Sequence, residues 1–353
     1  MYPALAVVEE LRTSAEVLWV GGKGGMEALL VTKAGISFEA IPAAGVHGVG
    51  LKALPKNSID LIKGFFVARK IIQRFTPDVM FFTGGYVSVP VALAGWKVPK
   101  VAYVPDIEPA LALKVIGLTV DVTAVTTEES RKYYRGGRKV VVSGYPTRPG
   151  IRNVEKQSGK ETLNLHDEKP VVLVFGGSRG ARSINFALWK ILDQLLDRTQ
   201  VLHITGRLDW DRVEEVKRSL SEDHIKAYHA FPYLHDEMGA ALASADLVVS
   251  RAGAATLGEY PIFGLPAILV PYPHAWRYQK VNADHLCRLG AATQIRDDEL
   301  DALLLPTLLG LLQDPGRLQK MGEAARMAAT PSASRVIASE IERVADLKGS
   351  VDG

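Results

Sequence analysis

The sequence predicts an α/β protein of two consecutive domains, each a parallel sheet flanked by helices. Three observations predict it. The chain has 353 residues, and at roughly 100–200 residues per domain two domains is the natural division. Short apolar, β-branched runs recur along it, each followed by Gly or Pro and then by a helical pattern. Such runs suit strands buried on both faces, which is how parallel sheets read. In the first half the runs are Glu16–Val20, Ser37–Ile41, Asp78–Thr83, Lys100–Val104, Asp121–Val125 and Lys139–Ser143. In the second they are Val171–Phe175, Gln200–Thr205, Lys226–Phe231, Asp246–Ser250, Pro266–Pro271 and Ala292–Ile295. Between the two series the stretch 144–169, rich in Pro, Gly, Asn and charge, reads as a linker. The expected division is therefore 1–146, a linker at 147–168, 169–330, and a terminal helix and tail at 331–353 that could pack on either domain.

Composition narrows the function. The chain is 47% hydrophobic and 23% charged, with one cysteine, which excludes a disulfide scaffold and a multi-cysteine zinc site and suits a reducing, cytosolic setting. Met1-Tyr2-Pro3 leads directly into a short amphipathic segment with Glu9 and Glu10, so no secretory signal is expected. The longest uncharged run, Val79 to Trp96, is broken by Gly84-Gly85, Ser88 and Pro90 and reads as strand, loop and helix rather than a membrane span. Charge is shared unevenly. Residues 1–150 hold 18 Lys and Arg against 12 Asp and Glu, a net +6, while the remainder holds 24 against 27, a net −3. A basic first half suits an anionic membrane surface or a phosphorylated acceptor. No basic run with interleaved aromatics points to nucleic acid. The scattered histidines offer no metal constellation, and there is no G-x-S-x-G nucleophile elbow.

In open parallel sheets, ligands bind beyond the carboxyl ends of the strands, and the polar loops there carry the chemistry. Gly176-Gly177-Ser178-Arg179-Gly180-Ala181 follows Val171–Phe175, and behind it Ile184, Leu188, Ile191, Leu192 and Leu195 keep helical spacing. Glycines let the backbone approach a ligand, the helix start favours a phosphate, and Ser178 adds a hydroxyl. The spacing is neither the dinucleotide nor the P-loop pattern, which weakens NAD and ATP. The alternative is a glycine turn needed for packing alone. Ser250 to Glu259 follows another strand. Its small residues allow backbone contact, and Glu259 could accept bonds from the vicinal hydroxyls of a ribose. The alternative there is a capping box of Thr256 and Glu259. Thr83 to Ser88, with Gly84, Gly85 and Tyr86, is a third strand-to-helix turn able to hold a phosphate or simply to pack. Gln279 and Asn282, three apart, share a helix face and could read sugar hydroxyls or merely begin a solvated helix. A further stretch, with Leu61, Ile62, Phe65, Phe66 and Ile72 among Lys63, Arg69, Lys70 and Arg74, fits an interfacial helix or a core helix with a basic edge.

These loops, in this order, resemble the MurG family of peptidoglycan glycosyltransferases over nearly the whole chain. The resemblance rests on Tyr2 to Ala6, Pro77 to Pro90, Gly176 to Asn185, Ser250 to Glu259, and Gly264 to Asn282. It implies a GT-B architecture, two Rossmann-like domains facing across a cleft. It also implies inverting, metal-independent transfer of GlcNAc from UDP-GlcNAc to the C4 hydroxyl of lipid I at the cytoplasmic face of the membrane. No cofactor is implied, and the partners are UDP-GlcNAc, an undecaprenyl-linked muramyl-pentapeptide and an anionic membrane surface. Carried over residue by residue, Ser178 would meet the donor's phosphates and Phe231-Pro232 would flank the uracil. Ala254, Ala255 and Thr256 would line the diphosphate and sugar, and Glu259 would hold the ribose. Tyr278, Gln279 and Asn282 fall at the sugar, Arg148 matches a linker arginine near the donor, and Gly84, Gly85, Tyr86 and Asp106 fall on the acceptor side.

The chain departs from the family pattern in several places. The family's opening strand and Gly-Gly-Thr-Gly-Gly-His loop would precede Met1, and their loss is read as a misplaced start site. Without that histidine, Glu108 is the candidate general base, with His47 behind it. Asp106 and Glu108 replace a His-Glu-Gln-Asn loop, where acidic groups would repel a diphosphate. Tyr145 and Tyr278 replace a family Asn and Gln. Pro261 falls inside the helix predicted after Glu259, where it would cost about 3 kcal/mol unless the helix kinks. Two other readings stay open: a different lipid-acceptor UDP-sugar transferase, and a non-catalytic UDP-sugar-binding protein.

Overall fold

The computed structural model describes residues 1–25, 27–43, 54–134, 139–166, 168–177, 180–274 and 278–349. The chain forms two compact units, Met1–Pro149 with Pro331–Gly353, and Gly150–Thr330.

The first unit runs α1 (Tyr2–Leu11), β1 (Leu18–Gly22), α2 (Glu27–Lys33), β2 (Ser37–Ile41), α3 (Leu54–Phe75), β3 (Met80–Phe82), α4 (Ser88–Ala94), β4 (Lys100–Val104), α5 (Leu111–Ile116), β5 (Val122–Val125) and β6 (Lys139–Val142). Every strand pairing is parallel, but the strands form two sheets, β1-β2 and β3-β4-β5-β6. Central β4 is buried along its whole length, as the unbroken apolar run Val101–Val104 requires. Its first residue is pinned, because the Lys100 N–H donates to the Asp121 carboxylate at 2.7 Å. The edges of β1 and β3 flank a cavity of about 490 Å³, lined also by Ala4 and Val8 of α1 and by Ile71, Ile72 and Phe75 of α3.

The second unit runs α6 (Lys156–Thr162), β7 (Val171–Phe175), α7 (Arg182–Leu196), β8 (Gln200–Ile204), α8 (Val213–Arg218), α9 (Glu222–Ala227), β9 (Tyr228–Phe231), α10 (Met238–Ser244), β10 (Leu247–Ser250), α11 (Glu259–Phe263), β11 (Ala267–Leu269), α12 (Tyr278–Arg288), β12 (Ala292–Gln294), α13 (Leu300–Leu312) and α14 (Pro315–Met327). Its sheet is all parallel in the order β12-β11-β10-β7-β8-β9. The chain starts in the middle at β7, winds out to β9, and returns to the other side at β10. The order therefore reverses between β7 and β10, and a crevice opens at such a switch point. The core lies where α7 and α13 cover the sheet. Ile184, Leu188, Leu192 and Leu195 of α7 meet Val172 and Val174 of β7 and Leu304, Leu308 and Leu311 of α13, each buried side chain contributing about 1.5–3 kcal/mol.

The stretch expected as a linker is folded over residues 151–162. After a 3₁₀ turn at Ile151–Asn153, α6 packs on α10. A last helix, α15 (Ala333–Gly349), packs on α1 and reaches β4. The Ser334 hydroxyl donates to Glu10 at 2.8 Å, and Lys139 pairs with Glu340 at 2.7 Å.

Candidate functional site

In the second unit the loops of interest lie at the carboxyl ends of parallel strands, on both sides of the switch point. Gly176–Ala181 follows β7 and leads into α7; within it, Ser178 and Arg179 lie outside the described residues. Gly180 has φ +77°, and a Cβ there would lie 2.3 Å from the Thr205 carbonyl oxygen. That glycine is required by packing whether or not a ligand binds. The same carbonyl accepts a bond from Asn185 Nδ2 at 2.8 Å, while the Thr205 N–H donates to the Phe231 carbonyl at 3.0 Å. Turn, Thr205 and the end of β9 are thereby tied together, with Phe231 and Pro232 half-buried beside them.

Behind this corner runs a closed hydrogen-bond network. The Asn185 amide also donates to Asp209, and Asp209 holds Arg182 at 2.9 Å. Asn185 Oδ1 faces His203 Nε2 at 3.0 Å; the Tyr228 hydroxyl faces His203 Nδ1 at 2.9 Å and accepts from the Trp189 indole at 3.0 Å. Since the Asn185 amide nitrogen is already spent as a donor, its oxygen accepts, so His203 carries its proton on Nε2 and takes the Tyr228 proton at Nδ1. Complete burial drives the His203 pKa down from 6.5 to about 3, and His203 is a neutral structural residue.

Across the switch, β10 ends at Ser250, and a 3₁₀ turn at Ala254–Leu257 precedes α11. A Cβ on Gly253 would meet nothing within 4 Å, so the smallness there answers no packing need and leaves the backbone open to a ligand. Thr256 Oγ1 donates to the Gly253 carbonyl at 2.8 Å. The alternative capping box does not form: the cap of α11 is Gly258, without a side-chain bond. Pro261 is the third residue of α11, where its missing N–H would have had no intrahelical partner, so the expected kink and penalty do not arise. Glu259, the first residue of α11, is buried; the Ser250 and Tyr260 hydroxyls lie 2.6 Å apart beneath it.

Helix α12 packs on the 254–257 turn. Buried Asn282 donates to the Ala252 carbonyl at 3.1 Å, and Gln279 Oε1 accepts from the Tyr272 N–H at 2.8 Å. The structure thus gathers Ala254, Ala255, Thr256, Glu259, Gln279 and Asn282 about one loop, with Tyr278 opening the same helix. Sequence reasoning missed Arg251, Ser183 and Asp297, which are far apart in the chain and meet at the carboxyl end of the sheet. Ser250-Arg251 after an apolar strand was visible, but no local pattern signals its partners.

The other expected residues lie in the first unit. Gly84 and Gly85 follow β3 with φ +103° and +90°, the Ser88 hydroxyl donates to the Gly84 carbonyl at 2.6 Å, and Tyr86 is exposed. Asp106 is half-buried after β4. Glu108 has only 1% of its side chain exposed and pairs with Lys114 at 3.4 Å. His47 lies outside the described residues. The Arg148 guanidinium sits over the Tyr2 ring at 4.3 Å, and buried Tyr145 meets Tyr103 edge-on.

The glycosyltransferase family 28 N-terminal domain matches residues 1–104 and the family's C-terminal domain residues 171–337. A UDP-N-acetylglucosamine–N-acetylmuramyl-(pentapeptide) pyrophosphoryl-undecaprenol N-acetylglucosamine transferase from Roseiflexus sp. RS-1 is 36% identical over 94% of this chain and 84% of its own length. The chain belongs to glycosyltransferase family 28. A second transferase of the same name, from Desulforamulus reducens, is 35% identical over 98% of this chain and 95% of its own. Among solved structures, Acinetobacter baumannii MurG superposes with a TM-score of 0.75 at 25% identity, covering 97% of this chain and 95% of that one. A UDP-GlcNAc 2-epimerase from Neisseria meningitidis, bound to UDP-GlcNAc, superposes with a TM-score of 0.69 at 11% identity; that likeness is one of fold. The GT-B architecture of family 28 accounts for the two α/β units.

Proposed function

We propose that this chain transfers N-acetylglucosamine from UDP-N-acetylglucosamine to the C4 hydroxyl of an undecaprenyl-linked muramyl-pentapeptide, with inversion and without a metal, as its family 28 relatives' names describe for donor and acceptor. The observation that carries the reading is the pair of small-residue loops flanking the β7/β10 switch, one of which closes on Glu259, Gln279 and Asn282. In this reading the backbone N–H groups of these turns are the groups that meet the diphosphate. Such preorganised dipoles stabilise negative charge on a departing diphosphate at no reorganisation cost at the moment of reaction. Buried Glu259 suits a ribose diol, and Gln279 with Asn282 suits sugar hydroxyls. Phe231 and Pro232 are the proposed uracil contacts, and Ser178 the proposed phosphate contact. Gly84, Gly85, Tyr86 and Asp106 belong to the proposed acceptor side.

The reading includes attachment to the cytoplasmic face of the membrane. No described helix is long and apolar enough to cross a bilayer. On α3, exposed Ile59, Ile62 and Phe66 alternate with exposed Lys63 and Lys70. Helix α4 packs on α3 and α5 packs on α4; Leu93, Leu111, Val115 and Leu118 are also exposed, as is Trp96 at 73%. An apolar surface studded with lysine fits an anionic interface. A screen of donors and acceptors tests the function. UDP-N-acetylglucosamine with a lipid I analogue is the productive pair; turnover only with another lipid such as diacylglycerol, or binding without turnover, overturns it.

A further inference from the structure

The side chain of Arg251, which leaves the end of β10, is only 10% exposed. Its Nη1 donates to Asp297 at 2.5 Å and to the Val270 carbonyl at the end of β11 at 3.2 Å, and its Nη2 donates to the Ser183 hydroxyl at 2.7 Å. Ser183 in turn donates to the same Asp297 oxygen at 2.7 Å, closing a three-membered ring of bonds. The Tyr272 ring covers the guanidinium at 5.2 Å. Ser183 stands in the first turn of α7, directly behind the Gly176–Ala181 turn, and Arg251 opens the Ala252–Leu257 loop. One planar cation therefore spans the β7/β10 switch and fixes the start of one loop relative to the end of the other.

We propose that Arg251, held by Asp297 and Ser183, is a positioning residue that sets the spacing of the two loops and so shapes the diphosphate part of the nucleotide-sugar site. The inference rests on the donor reading above. A diphosphate that draws backbone N–H groups from both loops feels their separation, whereas a nucleoside does not. Phe231 is held through Thr205, and Glu259 follows the Ser250–Tyr260 contact, neither of which uses the guanidinium. Lysine cannot replace arginine here, because a single ammonium does not reproduce a planar fork aimed at three acceptors.

The test compares UDP with uridine by titration calorimetry on the full chain and on Arg251→Lys, Asp297→Asn and Ser183→Ala, with thermal melts to confirm folding. Arg251→Lys and Asp297→Asn should weaken UDP about tenfold or more, the scale of one charge-assisted hydrogen bond, and leave uridine within about twofold. Ser183→Ala strands no buried charge and should give a smaller loss of the same selectivity. Full UDP affinity in Arg251→Lys would show that charge rather than geometry matters and would overturn the proposal. So would equal losses for UDP and uridine in the folded variants. An unaltered chain that binds neither would overturn the donor reading, and the clasp with it.

Discussion

At the scale of single residues, buried polar groups do two kinds of work in this fold. His203 is one kind. Its folded pKa of about 3 lies below its ordinary 6.5, so between those pH values the unfolded chain binds a proton that the folded chain refuses. The sign follows: stability falls as pH drops from 6.5 toward 3, by about 1.4 kcal/mol per pH unit from this group. Thermal melts between pH 7 and 4.5 should show the slope, and His203→Gln should flatten it; an unchanged slope would contradict the assignment. Glu259 is the other kind, a buried side chain at the start of α11, just after the loop whose Gly253 answers no packing need. Glu259→Gln should raise the KM for UDP-N-acetylglucosamine roughly tenfold while the melt stays near that of the unaltered chain. An unaltered KM would remove Glu259 from the donor site. The place of Glu259 at the start of a helix, after a strand and a run of small residues, was legible in the sequence. The Arg251 clasp was not, because positions 183, 251 and 297 become neighbours only when β7, β10 and β12 are aligned.

Among elements, the strands were legible where β-branched runs are buried on both faces, and their limits were not where a local contest decides. Ser37–Ile41, Lys100–Val104 and Val171–Phe175 have the predicted bounds. The run predicted from Lys226 begins at Tyr228 instead, because the Ser221 side chain caps α9 by accepting from the His224 N–H and the helix keeps Lys226 and Ala227. The run from Pro266 to Pro271 shortens to Ala267–Leu269 because a proline has no N–H to give the ladder. Among the described residues, strands β1 and β3 each pair on one side only and face a cavity. Amides of β1 and β3 on that side should exchange hydrogen at least about tenfold faster than those of β4 and β5, which are paired on both sides; uniform protection across the four strands would contradict the open edges. Helix α3 exposes Phe66 at 59% beside Lys63 and Lys70. Phe66→Glu should lower flotation with anionic vesicles about fivefold or more without altering UDP binding. Equal flotation of the two chains would move the membrane contact elsewhere.

For the whole molecule, the two-unit division was readable from strands that alternate with helices and from a Pro- and Gly-rich stretch midway. The return of α15 onto α1 was left open by sequence, since an amphipathic helix does not say which apolar surface it covers; the Ser334–Glu10 and Lys139–Glu340 contacts decide it. The proposed activity needs a nucleotide-sugar site in the second unit and a basic, apolar surface on the first. Their joint consequence is chemical. Radiolabelled N-acetylglucosamine should pass from UDP-N-acetylglucosamine to a lipid I analogue in the presence of this chain, yielding a labelled lipid with inverted anomeric configuration and one equivalent of UDP. Saturable UDP binding with no labelled lipid, or a labelled product with the donor's configuration retained, would contradict inverting transfer to the lipid.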